Sequence, residues 1–112
     1  MNPQVNVPLA SHTSLAVGGP AGQLYTPVSA DELQTLLAQL SDEQIWILGY
    51  GANVLISDAG LPGAVLLTRG NTVTREAHIL IADAGVWWDD LVQYAIADNL
   101  WGIELMSAIP GG

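Results

Sequence analysis

The chain has no cysteine, no lysine and no phenylalanine, and only two arginines, Arg69 and Arg75, among its 112 residues. Each absence narrows what the protein can be. Without cysteine there is no disulfide, no thiolate metal site and no cysteine nucleophile. With eleven carboxylates against two arginines the formal net charge is −9. Nucleic-acid binding requires Lys and Arg to neutralise phosphates, so nucleic acid is set aside, and an acidic membrane surface would repel the chain. A phosphate could still be held by backbone N–H groups and helix N-termini. The glycine loop that begins a P-loop site needs a lysine, so a Walker motif is excluded.

Met1 to Ala10 carry neither a basic segment nor a long apolar run, so no signal peptide is expected. No uncharged apolar stretch approaches the roughly 20 residues of a membrane span. The expectation is a cytoplasmic protein. Half of the residues are apolar and mean hydropathy is +0.36. The chain therefore has the material for one core and is not of the disordered class.

Residues 1–22 hold Pro3, Pro8, Gly18, Gly19, Pro20 and Gly22 and read as an extended, loop-rich opening. Leu24 to Val28 forms a short strand closed by the turn at Pro27. Ser29 followed by Glu32 is a capping box. Leu33, Leu36, Leu37 and Leu40 then lie at i, i+3, i+4 and i+7, one helical face. Gln44 to Leu48 is a β-rich run. Gly49-Tyr50-Gly51-Ala52-Asn53 interrupts it and Val54-Leu55-Ile56 resumes it. Gly60, Pro62 and Gly63 make a turn before an apolar strand, Ala64 to Thr68. Thr72 to Glu76 and His78 to Asp83 read as a hairpin. A second helix starts near Trp87, where Asp89 and Asp90 suit the positive end of its dipole, and ends at Asn99. Its buried side is broad, with Leu91, Ala95 and Asp98 on one face and Trp88, Val92 and Ile96 beside it. Trp101 to Ile109 is a short strand or loop. The fold class is α+β with some parallel pairing early in the chain.

Gly49-x-Gly51 behind a strand invites a dinucleotide-binding reading. That fingerprint needs a third glycine and a helix directly behind it. Val54 stands at the third position, and no helix can open before Gly60, Pro62 and Gly63. What remains is either a plain tight loop or an anion-binding nest of successive N–H groups, to which Asn53 adds a side-chain amide. Hydrogen bonds to a charged group contribute about 1.5–3 kcal/mol each, so a few N–H donors suffice to hold a pyrophosphate.

Five collinear stretches bear on that choice. Ile47 to Leu55 resembles the flavin pyrophosphate loop LGxGSN(L/V)L of the UDP-N-acetylenolpyruvoylglucosamine reductases. His12 to Leu15 with Val17 to Ala21 is similar to that family's N-terminal segment ending in GGPA. Asp58 to Gly63 with Val65 to Leu67 is similar to its aspartate–glycine turn and following strand. Ala84-Gly85-Val86 with Trp88 to Val92 is similar to its AG-x-x-W-x-x-L-V segment. Gly102-Ile103-Glu104 leading to Ile109-Pro110-Gly111 is similar to its G-x-E…IPG segment.

The resemblance implies a FAD-binding domain of the vanillyl-alcohol oxidase type. It would be built from two small α+β subdomains, 1–70 and the opening of a second over 71–112, with non-covalent FAD between them. The implied cofactor-binding residues are Leu48, Gly49, Tyr50, Gly51, Ala52, Asn53, Val54 and Leu55, with Ile109, Pro110, Gly111 and Gly112 approaching from the second subdomain. The implied reaction is the NADPH-linked reduction of UDP-N-acetylglucosamine enolpyruvate to UDP-N-acetylmuramate, a step of peptidoglycan precursor synthesis, by a monomer. Two positions depart from the pattern. Ala52 replaces the usual serine, which removes a hydroxyl donor but keeps the N–H, and Gly112 stands where Ser, Thr or Cys is frequent. The family's proton-donating serine, its arginine and its glutamate lie after the IPG turn. The chain therefore reads as an N-terminal fragment that carries no catalytic residue and is inactive by itself. The alternatives are another flavin oxidase of this fold, acting on an alcohol or sugar, and a non-catalytic remnant.

His12 and His78 have no metal partner at suitable spacing and read as structural. Asp89-Asp90 read as helix-start charges rather than an acid–base pair, since helical neighbours point apart. Trp46, Trp87, Trp88 and Trp101 read as core before flavin stacking. Ser57, Ser107 and the histidines form no triad.

Overall fold

The computed structural model describes residues 1–109. The elements in chain order are strand β1 (Gln4–Pro8), a 3₁₀ turn (Leu9–His12), β2 (Pro20–Tyr25), helix α1 (Ala30–Gln39), β3 (Ile45–Leu48), β4 (Leu61–Leu67), β5 (Val73–Glu76), β6 (Ile79–Ala82), α2 (Trp88–Ala97) and a second 3₁₀ turn (Glu104–Met106). The architecture is α+β. A four-stranded sheet has the order β1-β2-β4-β3, and β5 and β6 form a separate two-stranded antiparallel hairpin. β1 runs antiparallel to β2, whereas β4 runs parallel to both β2 and β3, as the early parallel pairing required.

β4 is central and covered on both faces, so its residues alternate between two cores. Val65 and Leu67 join Leu9, Ala21, Leu24, Leu48 and Ile56 on one face. Ala64 and Leu66 join Tyr25, Leu36 and Leu40 on the other, beneath α1. A strand buried on both faces reads as a continuous apolar run, which is why Ala64 to Leu67 was visible in the sequence.

α1 begins as the capping box specifies. Ser29 Oγ accepts from the Glu32 N–H at 3.2 Å, and Glu32 Oε2 accepts from the Val28 N–H at 2.8 Å, one residue ahead of the usual partner. Leu36 and Leu40 are buried and Leu33 partly so, but Leu37 is 38% exposed, so the buried stripe is narrower than the periodicity suggested. Ser29→Ala should lower stability by about 1 kcal/mol, read as a shifted urea midpoint at constant slope.

Three expectations need correction. Val54-Leu55-Ile56 is not a strand. The return from the end of β3 to the start of parallel β4 must cross the length of the sheet, and these residues are that crossing, with Ile56 turned into the core and Leu55 79% exposed. Pro62 and Gly63 are not a turn but lie inside β4, where the pairing with β2 shifts between Ala21 and Gln23. That bulge accommodates a proline in a central strand. Third, residues 4–8 of the loop-rich opening form the edge strand β1, and its residues 20–22 begin β2, which ends at Tyr25 rather than running from Leu24 to Val28.

α2 closes as Asn99 foretold. Asn99 takes φ 56°, its N–H donates to Ile96 O at 3.1 Å, and the Leu100 N–H donates to Ala95 O at 2.8 Å. These two bonds make a Schellman motif with asparagine in the left-handed position. Val92 and Ala95 are buried and Ile96 is exposed, against its assignment to the covered side. Trp101 to Ile109 is a loop containing the second 3₁₀ turn.

Candidate functional site

The site is assembled around the glycine loop that follows β3. Leu48 ends the strand inside the core, and the chain leaves it at Gly49. Gly51 sits at φ 70°, where an L side chain is strained. A Cβ there would collide with the His12 carbonyl and lie 2.7 Å from Thr13 Cα. The Ser14 N–H donates to Gly51 O at 3.0 Å, and Thr13 Oγ donates to Val17 O at 2.9 Å. The His12–Val17 segment is therefore folded onto the back of the glycine loop, and His12 contributes its backbone there.

The GGPA and aspartate–glycine segments meet each other at the opposite end of the sheet. The Gly19 N–H donates to Ser57 O at 2.9 Å, and the Gly60 N–H donates to the same oxygen at 2.9 Å. Motifs about forty residues apart in sequence thus serve one arrangement, in which the crossing loop is held against the start of β2.

The front of the glycine loop is open. No atom lies within 4 Å of where a Gly49 Cβ would be. Among the described residues, no backbone N–H from Gly49 to Asn53 donates a hydrogen bond. Ala52 and Asn53 are exposed. These are the features of an unsatisfied nest.

Tyr50 extends from the loop toward the second half of the chain. Its hydroxyl donates to Gly85 O at 2.6 Å. Its ring stacks on Trp87 with centroids 3.7 Å apart and planes 19° from parallel. Arg69 also packs on that ring, Cζ lying 4.2 Å from the centroid, a cation–π distance. Arg69 Nη1 donates to Gly49 O at 3.0 Å and to Thr68 O at 2.9 Å. The cation thus fixes the first carbonyl of the loop. Arg75 is engaged elsewhere, 3.4 Å from Asp98. Gly85 is pressed so closely on Arg69 and Gly70 that a Cβ would lie 2.6 Å from Arg69 Cα. A cleft of about 380 Å³ opens beside this group, lined by Tyr50, Arg69, Asn71, Trp87, Asp90 and Tyr94. A second, of about 250 Å³, lies between Arg69, Asp83 and the start of α1.

The structure brings Leu48 to Asn53 together as one loop, with Val54 partly and Leu55 largely exposed at its end. Ile109 is exposed, and Pro110, Gly111 and Gly112 lie outside the described residues. The tryptophans are not core. Trp101 is 91% exposed, Trp87 covers Tyr50, and Trp46 donates its indole N–H to Pro62 O at 2.9 Å. No group of three or more His, Asp or Glu able to hold a metal occurs among the described residues.

Sequence reading missed two things. Arg69 reaches Gly49, twenty residues away, a contact that no local pattern signals. Asp89 is more than a helix-start charge. Its Oδ1 accepts from Ser107 Oγ and, at 2.9 Å, from the Ala108 N–H, and these two donors hold its carboxyl below the usual range. Glu104 is lowered similarly by the Gly102 N–H, 2.6 Å away.

No protein-family model matches the chain. Its sequence is 41% identical over 110 residues to a UDP-N-acetylenolpyruvoylglucosamine reductase of Caldanaerobacter subterraneus subsp. tengcongensis, covering 96% of this chain and 36% of the relative. It is 38% identical over 110 residues to the enzyme of that name from Legionella pneumophila, again 36% of the relative. The chain thus spans about a third of the length of these relatives. Among solved structures it is similar to UDP-N-acetylenolpyruvylglucosamine reductase of Thermus caldophilus, with a TM-score of 0.73, 33% identity, and coverage of 97% of this chain and 39% of that one. No helix is long and apolar enough to cross a membrane among the described residues.

Proposed function

We infer that this chain, whose sequence and fold match the N-terminal part of the UDP-N-acetylenolpyruvoylglucosamine reductases, cradles the pyrophosphate of FAD on the loop from Gly49 to Asn53. The observation that carries the reading is the run of backbone N–H groups from Gly49 to Asn53 that donate no hydrogen bond among the described residues, on a loop that is open at Gly49. A chain of net charge −9 with no lysine has few other means of attracting a dianion. Arg69 adds a fixed positive charge beside Gly49 without occupying the open side. Tyr50 ties the loop to Gly85 and Trp87. The four-stranded sheet ends at Leu67 and the hairpin begins at Val73, which supports a division into subdomains near residue 70, with Tyr50 and Arg69 joining them.

When bound, FAD supplies the relay of hydride from NADPH to the enolpyruvyl double bond of UDP-N-acetylglucosamine enolpyruvate, and a proton added at the neighbouring carbon completes UDP-N-acetylmuramate. The relatives are reductases of that enolpyruvyl sugar by name, which supports this activity for the whole protein. This chain's residues have the binding half of the task. They position the dinucleotide and contribute no proton donor.

Titration of the purified chain with FAD, followed by desalting and an absorbance spectrum from 350 to 500 nm, should leave a flavin band. Gly49→Ala should fold normally, since its Cβ meets nothing, yet bind FAD at least about tenfold more weakly because the new methyl stands where the phosphate must approach. Equal affinity of the two proteins would place the cofactor elsewhere.

A further inference from the structure

Beyond the glycine loop, two consecutive residues at the start of α2 grip three consecutive residues at the end of the described chain. Trp88 Nε1 donates to Met106 O at 2.7 Å. Asp89 Oδ1 accepts from both Ser107 Oγ and the Ala108 N–H. An aspartate in the first turn of a helix ordinarily serves the free N–H groups of its own helix. Asp89 instead spends one oxygen on a segment 18 and 19 residues away. Asp90, its neighbour, makes no such bond among the described residues and lines the cleft beside Tyr50. Ala108, held by this contact, takes φ 65°, a conformation alanine adopts only when its surroundings impose it. The next residue is Ile109, the first of the segment assigned above to the cofactor.

We propose that Asp89 is a positioning residue: it clamps Ser107 and Ala108 onto α2 and thereby sets where Ile109 stands toward the cofactor. The consequence for FAD rests on the cofactor reading of the preceding subsection. The clamp itself does not. Asp89 touches no reacting atom in this scheme. It acts through the backbone of residues 107–109. Trp88 supports the same segment one residue earlier, so the two contacts fix both position and rotation of the strand of chain between them.

The two claims are separable in one set of variants of the 112-residue chain. Amide hydrogen exchange at Ala108, followed by NMR, reports the clamp without any flavin. Asp89→Ala should speed that exchange by about tenfold or more, as expected for a lost charge-assisted bond. The Leu100 amide, whose bond to Ala95 O depends only on α2 being folded, should not change. Asp89→Asn keeps an acceptor oxygen in the same place and should restore most of the protection. FAD titration of the same proteins should give a dissociation constant about tenfold higher for Asp89→Ala, with recovery in Asp89→Asn. Unchanged Ala108 exchange in Asp89→Ala overturns the clamp. Faster exchange with unaltered FAD affinity overturns its positioning role. If the parent chain binds no FAD, the cofactor reading fails, and the exchange data still decide the clamp.

Discussion

Replacing Gly51 by alanine should cost about 3 kcal/mol or more and detach the N-terminal segment from the glycine loop. Two effects add. Alanine in the left-handed region is strained by roughly 1–2 kcal/mol, and Gly51 has φ 70°. The added methyl would also meet the His12 carbonyl and Thr13 Cα. Both are backbone atoms, so relief requires moving the chain, which would break the Ser14–Gly51 hydrogen bond. Urea unfolding should show the lower midpoint, and the amide resonances of Thr13 and Ser14 should shift or broaden. Gly49→Ala, two residues away, is the internal control and should unfold close to the parent. A Gly51→Ala protein as stable as the parent would mean that residues 12–14 do not pack on this loop.

Leu66→Ala should be comparably severe, at about 2–5 kcal/mol. Leu66 is fully buried in the central strand, with Leu36, Leu40 and Tyr25 against it. α1 covers this face from one side only, so it has little freedom to collapse into the space left behind. Since domains of this size are stable by about 5–15 kcal/mol, the variant should be close to the edge of folding at 37 °C. Leu37→Ala, on the same helix but 38% exposed, should lose under about 1 kcal/mol. Similar urea midpoints for the two variants would contradict the assignment of Leu66 to the core beneath α1.

These contrasts also mark what local sequence could reveal. Ser29 and Glu32 announce α1 because a capping box is satisfied within four residues. Asn99 announces the end of α2 for the same reason. The apolar run at Ala64 is legible because β4 is covered on both faces. Val54 to Ile56 misleads because β-branched apolar residues suit a strand, while only the parallel pairing of β3 and β4 decides that they must instead carry the chain back across the sheet. β1 is hidden because an edge strand with one partner needs no apolar run, and its burial pattern is almost wholly exposed. At the candidate site, the glycine loop could be read as a string of residues. The parts that orient it could not. Arg69 on Gly49, Tyr50 on Gly85 and Asp89 on Ala108 join residues 19 to 35 apart, and nothing in a local pattern says which such pairs will meet.

The strand order β1-β2-β4-β3 has a bearing on how the chain is made. Among the described residues β3 pairs with β4 alone, and β4 is synthesised after it. As the polypeptide leaves the ribosome, β1 and β2 can join at once, but α1 and β3 have no completed surface to settle on until residue 67 has emerged. β4 must then enter the gap between β2 and β3, and only at that moment are both cores closed. A nascent chain stopped before Leu67 would hold Ile45 to Leu48 and the apolar side of α1 exposed together, the kind of species that chaperones retain. Arrest-peptide force measurements along the sequence should therefore register one late pulling event as the end of β4 clears the exit tunnel, with little tension before it.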